Sequence, residues 1–330
     1  MTTSPAPSVV KVSELNALVD SVPYVLGFKP TESIVVVSLR GPRERMEFSV
    51  RLDLIPEDYD DEVAHMFAER MRAAEADSVM IFVYTDHEPS ERGLPRRQLV
   101  ERVTNAMPME VREAWLVTDE RVWSYVCDDE RCCPPEGQIR EQTPESLTLA
   151  AAHALHGDAV LPDRESVVAT VQPVTGERAA EMERTIDQAA EAWAELDPRR
   201  ARTKARRLAT KLRARYESPP ATLADDEAAA LIMAMHDWRI RDMLIGWAKS
   251  DSDAIHTLLL DVARLAVPPL DAPACTTYAM ASYFKGNGLV AACAMERALA
   301  SDPNYSLALI LEEALARQVP PSMLREASIF

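Results

Sequence analysis

The segments of this chain that have strand character all lie in its first half, and this uneven distribution limits the folds open to it. Residues 34–39 and 79–84 are apolar runs, interrupted only by Ser38, and are rich in β-branched side chains. Such runs are typical of strands that are covered on both faces of a sheet. From Thr143 to the C-terminus no stretch alternates with a period of two, and apolar residues recur at helical spacing instead.

The order of these patterns predicts two domains. Residues 46–54 alternate after a polar turn and indicate an antiparallel partner for the first strand. Helical spacing at 57–76 comes before the strand at 79–84. A second helical segment, at 94–106, lies between that strand and two more, at 114–117 and 122–126. We therefore predict an α/β domain with a mixed sheet and helices in residues 1–165, followed by an all-α helical domain in residues 166–330.

Charge and glycine content argue against several classes of protein. The 330 residues include 36 basic and 53 acidic side chains, which gives a net charge of −17. A chain with this charge is repelled by phosphate backbones unless its cations are concentrated in one place. Only nine glycines are present, and no glycine-rich nucleotide or phosphate loop, Gly-x-Ser-x-Gly or His-Glu-x-x-His motif occurs. No reaction type is indicated, and the expectation leans away from an enzyme.

The sequence predicts a cytoplasmic protein. Residues 1–7 lack the basic and apolar segments of a secretory signal. No apolar run approaches the roughly 20 residues that span a bilayer, so no membrane association is expected. Five cysteines, an odd number in a long chain, favour a reducing compartment over a disulfide scaffold.

Three cysteines form the first candidate site. Cys127, Cys132 and Cys133 lie within seven residues, directly after a predicted strand. Thiolates bind zinc and other soft metals, so we predict a possible zinc site here. A fourth ligand would come from one of four nearby side chains: His153, His156, Asp128 or Glu130. Two alternatives stay open, namely that the cysteines are structural residues of the loop, or that a pair of them forms a redox switch.

Acidic residues and a histidine that follow two predicted strands form a second candidate site. Asp86 and His87 come directly after the strand at 79–84, and Asp119 follows the strand at 114–117. Ligands of α/β sheets bind beyond the carboxyl ends of strands, so these side chains are candidates for acid–base catalysis or for binding a divalent cation. The alternative is that they are turn formers and helix caps.

A basic helix is the third candidate. Residues 199–215 contain nine cations and no acid, and we consider them a binding surface for nucleic acid or an acidic partner: Arg199, Arg200, Arg202, Lys204, Arg206, Arg207, Lys211, Arg213 and Arg215. The alternative is internal neutralisation by the preceding helix, which carries Glu177, Glu181, Glu183, Asp187, Glu191, Glu195 and Asp197.

The chain carries two resemblances to known families. Residues 281–308 contain small residues at Ala281, Ala292, Ala298 and Ala308 and a break at Asp302-Pro303. They resemble one tetratricopeptide-like helical hairpin, which implies hairpin packing in the helical domain. The whole chain resembles an uncharacterised actinobacterial family of domains of unknown function, number 4192. Residues 22–30, 123–127 and the Cys-Cys-Pro-Pro-Glu-Gly string at 132–137 carry this likeness, together with the hairpin up to residue 321.

The leading functional hypothesis is a non-catalytic interaction or regulatory protein that binds a protein partner through its helical domain. One alternative is a metal-dependent enzyme, for example a phosphate-ester hydrolase, with its site at the strand ends. Another is a nucleic-acid-binding protein that uses residues 199–215, which the net charge disfavours.

Overall fold

The chain divides into two compact units, Met1–Arg164 and Glu165–Phe330. The structure is a computed structural model, and it describes residues 11–90, 93–156, 160–250, 253–317 and 319–326. Within these ranges the strands fall in the first unit, and the second unit is helical. An α/β portion followed by a helical portion is the fold class predicted from the sequence, and the structure confirms it.

The first unit is built on a six-stranded mixed sheet. Its strands are β1 (Ser33–Arg40), β2 (Arg45–Asp53), β3 (Ser78–Tyr84), β4 (Glu110–Val117), β5 (Arg121–Ser124) and β6 (Gln138–Ile139). Its helices are α1 (Leu15–Leu26), α2 (Asp60–Ala73), α3 (Arg97–Ala106) and α4 (Pro144–His156), and a 3-10 turn spans Glu57–Tyr59. The strand order is β2-β1-β3-β4-β5-β6, in which β3 and β4 are parallel and the other neighbours antiparallel.

Helices cover both faces of the central strands. On one face Val36 of β1 packs in a cluster with Phe67 of α2 and Leu99 of α3. On the other face Val35 lies in a cluster with Val22 of α1. Every residue of β3 is buried, and so is every residue of β1 before its last. Neither face of these strands meets water, and this explains why their sequences are apolar almost throughout.

The second unit consists of helices around one apolar core. They are α5 (Arg164–Thr170), α6 (Gly176–Ala194), α7 (Pro198–Tyr216), α8 (Asp225–Ala234), α9 (Trp238–Ala248), α10 (Asp253–Leu265), α11 (Ala272–Phe284), α12 (Gly288–Ser301), α13 (Ser306–Ala316) and α14 (Pro321–Glu326). All thirteen residues of α11 are buried, so this helix is the centre of the unit. Two of its hydroxyl side chains are satisfied within the helix: Thr276 donates to the carbonyl of Ala272 and Thr277 to that of Pro273.

The helices of the predicted hairpin are present, and their small residues face neighbouring helices. Ala298 of α12 and Ala308 of α13 are fully buried, and the two helices pack against each other. The tetratricopeptide-like character of this packing stays a prediction. Among the described residues, no helix combines the length and the apolar character needed to cross a membrane.

A buried ion pair joins four parts of the helical unit. Arg297 on α12 donates from Nε to Asp271 Oδ2 over 3.0 Å, and Asp271 is fully buried just before α11. The other guanidinium nitrogens donate to the carbonyls of Val171, Ala263 and Ala266, at 2.9, 2.8 and 2.5 Å. One side chain thus binds the ends of α5 and α10 to the start of α11, which an uncharged side chain would not do.

We expect Arg297→Ala to destabilise the helical unit by about 3 to 5 kcal/mol, because it leaves the Asp271 carboxylate buried and unpaired. Arg317→Ala is the matched control: Arg317 forms an exposed i,i+4 pair with Glu313, and its loss should cost about 0.5 kcal/mol or less. Urea unfolding followed by circular dichroism measures both. Equal effects of the two substitutions would contradict the role assigned to Arg297.

Candidate functional site

The three clustered cysteines lie in the segment that joins β5 to β6, which we call the cysteine loop (residues 127–137). Three hydrogen bonds attach the end of this loop to β5. Trp123 donates from its indole Nε1 to the carbonyl of Pro135 over 3.1 Å. Arg121 donates from Nη1 to the carbonyls of Glu136 and Gly137, each over 3.0 Å. The loop is therefore held by main-chain acceptors and does not rely on its cysteines for its path.

Gly137 is required where the loop meets Trp123. Its φ is 78°, a conformation that favours glycine. A Cβ at this position would lie 2.6 Å from Nε1 of Trp123 and overlap the indole ring. The backbone of Gly137 thus packs directly against the indole, and both backbone and space exclude a larger residue.

A tight turn places the adjacent cysteines beside Cys127. The carbonyl of Asp129 accepts hydrogen bonds from the amides of Cys132 and Cys133, at 3.0 and 2.8 Å. The Asp129 carboxylate is occupied by Arg131, whose amide and guanidinium donate to it at 3.0 and 2.6 Å. These hydrogen bonds close the turn within the loop. The three thiols of the loop consequently face a common centre.

The three sulfur atoms form a compact cluster. Cys127 Sγ lies 3.2 Å from Cys132 Sγ, and Cys132 Sγ lies 3.7 Å from Cys133 Sγ. All three lie within 4.8 Å of one another. Cys132 is exposed and the other two are half-buried, so the cluster is open to solvent. It could hold a metal ion.

The surroundings shift the pKa values of the three thiols in different directions. A hydrogen bond from the Asp129 amide, followed by those from the other two thiols, lowers the pKa of Cys127. The hydrogen bond with Cys127 raises the pKa of Cys132. Burial is the main cause that raises the pKa of Cys133, to about 12. A negative charge on the cluster therefore resides first on Cys127, and the other two thiols hydrogen-bond to it.

The predicted fourth ligands do not join the sulfurs. The ring of His153 stacks on Tyr24 of α1 with the centroids 4.2 Å apart, which takes it away from the cluster. The carboxylates of Asp128 and Glu130 are not among the ligand atoms that lie within 4.8 Å of one another. The side chain of His156 lies outside the described residues. Within the part of the chain that is described, the group that could hold a metal ion consists of the three sulfur atoms.

The candidate residues that follow β3 and β4 lie at the same end of these two strands, but in the described ranges they form no cluster of metal ligands. The amide of Thr85, after β3, donates to the carbonyl of Val117 over 3.3 Å, which brings the two strand ends together. Asp119 pairs with Lys29 at 2.8 Å, and this bond lowers its pKa. The amide of Asp86 donates to Glu32 over 2.9 Å. In the described ranges no metal-ligand group contains Asp86, His87 or Asp119.

The basic helix α7 is largely neutralised, but mostly not by the acids that the sequence suggested. Glu227 of α8 pairs with Lys211 at 2.9 Å and with Arg215 at 2.5 Å, and Asp237 pairs with Arg202 at 2.7 Å. Of the seven acids proposed from residues 177–197, only Asp197 pairs with a cation of α7, Arg200, among the described residues. The reason is packing: α6 lies against α8, so its acids do not line α7.

Other cations of α7 find different partners. Arg213 pairs with Glu217 at 3.0 Å, and Lys204 lies 4.9 Å above the ring of Trp193. Arg199, Arg206 and Arg207 are exposed and form no ion pair with the residues that the structure describes. Nucleic-acid binding by this helix stays a prediction, and four of its nine cations, Lys204 included, have no acidic partner among the described residues.

Sequence reasoning identified the cysteines but missed the residues that fix their loop. Trp123 and Gly137 are fourteen positions apart, and only their pairing across β5 and β6 brings them into contact. A usable signal was present, since a glycine after Pro-Pro-Glu indicates a turn with positive φ. Cys275 and Cys293, by contrast, are buried in the helical core.

Comparison with known proteins places the chain in one family. A family model described as a domain of unknown function (DUF4192) matches residues 16–322, which is most of the chain. No curated protein and no solved structure matches it.

We expect Gly137→Ala to destabilise the protein more than Gly41→Ala does, by about 1 to 3 kcal/mol, because its Cβ would overlap the Trp123 ring. Gly41 is the control, since it also has a positive φ, 73°, but open space around it, so both variants share the backbone strain. Urea unfolding monitored by tryptophan fluorescence gives the difference. Equal destabilisation would mean that the contact between Gly137 and Trp123 does not constrain the loop.

Proposed function

The chain belongs to the DUF4192 family, and we propose that it is a metal-binding protein that holds a zinc ion through Cys127, Cys132 and Cys133. The observation that supports this most is the convergence of three sulfur atoms within 4.8 Å on a loop whose backbone is fixed independently.

The sulfur spacing suits a tetrahedral metal. Zinc–thiolate bonds are about 2.3 Å long, so two sulfurs on one tetrahedral zinc ion lie about 3.8 Å apart. The sulfurs of Cys132 and Cys133 are already 3.7 Å apart. Those of Cys127 and Cys132 are 3.2 Å apart and would have to move slightly further from each other when zinc binds. The adjacent cysteines are thus suitable ligands because the Asp129 turn directs both thiols to one side.

Ligand chemistry favours zinc over the common hard cations. Calcium and magnesium prefer oxygen ligands, whereas thiolates select zinc and copper(I). Zinc has no electronic preference for a geometry, so it accepts three sulfurs and an exogenous fourth ligand such as water. Solvent reaches the cluster through the exposed Cys132, which allows such a ligand to enter.

The same geometry favours a binding or regulatory role for the metal over hydrolysis of a phosphate ester. A general base must lie within hydrogen-bond reach of metal-bound water. Two carboxylates that could act as this base are engaged by cations: Asp129 by Arg131, and Asp119 by Lys29. In the described ranges no carboxylate or histidine joins the three sulfurs in the group that could hold a metal ion. Protein-partner binding through the helical unit, the leading expectation from the sequence, stays a prediction.

Purification without chelators followed by elemental analysis tests the zinc site. We expect about one zinc ion per chain, and close to none in Cys132→Ser, because a two-sulfur site binds zinc much more weakly. Cys132 is the best choice because it is exposed, so its replacement leaves the core intact.

The matched control is Cys293→Ala, which removes a thiol from the helical core and should keep the metal. A zinc content that Cys132→Ser does not change would place the metal elsewhere. Stoichiometric copper in place of zinc would keep the site but overturn the choice of metal.

Zinc binding should release protons and weaken as the pH falls. Thiols with an ordinary pKa of about 8.5 are mostly protonated at neutral pH, so three ligands lose about two to three protons per zinc ion. Because the pKa of Cys127 is lowered, this thiol is partly deprotonated before zinc binds, and fewer than three protons are released per zinc ion. Protons compete with the metal at lower pH, so the affinity should drop between about pH 8 and pH 6.

Calorimetric titration in two buffers of different ionisation enthalpy gives the number of protons released. A release near zero would contradict thiolate ligation. An affinity that is independent of pH over the same range would contradict it equally.

A further inference from the structure

The helical unit contains a cavity of about 420 Å³, which shares Arg202 with the basic helix and is otherwise separate from the candidate sites above. It is formed by α6, α7, α8 and α9, and its walls are mainly apolar. They include Trp193, Ala201, Met233 and Ile240. The volume lies within the range of small-molecule sites, and one charged pair, Arg202 and Asp237, lines it as well.

Arg202 is only partly engaged in this cavity. Its Nε donates to Asp237 Oδ2 over 2.7 Å. Its two terminal nitrogens donate to no residue in the described part of the chain, although the side chain is about two-thirds buried. A guanidinium held by one edge presents its remaining N–H groups as a fork, which is the geometry that a carboxylate accepts.

Asp237 does not cancel the positive charge around the cavity. Its carboxylate already accepts from Arg202 and from the amide of Arg239, where it caps α9. Two further cations lie close: the Arg239 guanidinium 3.7 Å from Asp237, and Lys204 over the ring of Trp193. In the described ranges Lys204 forms no ion pair, so two cations, Arg202 and Arg239, lie against this one carboxylate on a chain whose net charge is −17. Two cations and one carboxylate leave one positive charge, which a ligand with one negative charge neutralises.

We propose that this cavity binds a small amphiphilic monocarboxylate, whose apolar part lies between Trp193, Met233 and Ile240 and whose carboxylate binds the terminal nitrogens of Arg202. The site is separate from the cysteine loop and does not depend on the metal proposal. Recognition combines burial of the apolar chain with charge-assisted hydrogen bonds at one end.

Isothermal titration of the full chain with linear monocarboxylates of increasing length, and with primary alcohols of the same lengths, tests this proposal. We expect one saturable site per chain. Each buried methylene should raise the affinity roughly fourfold until the cavity is full. The affinity for each alcohol should be lower than that for the acid of the same length by a factor of about ten or more, since the alcohol lacks the charge that Arg202 recognises.

Three variants separate the charge from the cavity. Arg202→Met should remove the preference for acids over alcohols, while Ala201→Phe should fill the cavity and abolish binding of both. Arg206→Met is the matched control, because Arg206 is an exposed cation on the same helix without an ion pair to a described residue, and it should bind as the native chain does. Circular dichroism verifies that each variant is folded.

Several results would overturn the proposal. These are no binding of any acid by the native chain, an Arg202→Met variant that retains the full preference for acids, or binding that survives Ala201→Phe. Several molecules bound per chain with equal affinity for acids and alcohols would indicate adsorption to apolar surface, and would also refute it.

Discussion

The central strands β1 and β3 are apolar on both faces, and the architecture of the first unit depends on covering them. Helices α2 and α3 bury one face and α1 the other, so the sheet becomes the middle layer. Burial on this scale leaves few polar side chains in the central strands, and those are small serines such as Ser38. Polar chemistry is therefore displaced to the last strands in the order, β5 and β6, and to the cysteine loop between them.

The helical unit meets a similar constraint in a different way. Helix α11 is buried around its whole circumference, so its orientation is not fixed by an apolar stripe facing a polar one. The specific contact at its start is the ion pair between Asp271 and Arg297, which also holds the carbonyls of Val171 and Ala266. A directional, buried charge pair supplies the register that uniform apolar packing does not define.

The sequence revealed those features that depend on local pattern and missed those that depend on which elements pack together. The strands at 34–39 and 79–84 followed from composition alone, and the cysteines were close because seven residues of loop cannot separate them far. His153 does not join the sulfurs in the described residues, because α4 turns that side chain onto α1, where it meets Tyr24. The acids of α6 were mostly wrong partners for α7 because adjacency along the chain did not imply packing. The close contact of Gly137 with Trp123 needed the register of β5 with β6.

The cysteine loop also differs physically from small metal domains that fold only when the ion binds. Its path is set by the hydrogen bonds of Trp123 and Arg121 to the carbonyls of residues 135–137, none of which involves a sulfur. Three thiolates this close would repel one another, and Arg131, the cation of the loop, is occupied by Asp129. The cluster therefore retains protons, as the raised pKa values of Cys132 and Cys133 indicate. A metal ion would replace those protons within an existing frame, so its binding energy goes to the exchange of ligands and little of it to folding the loop.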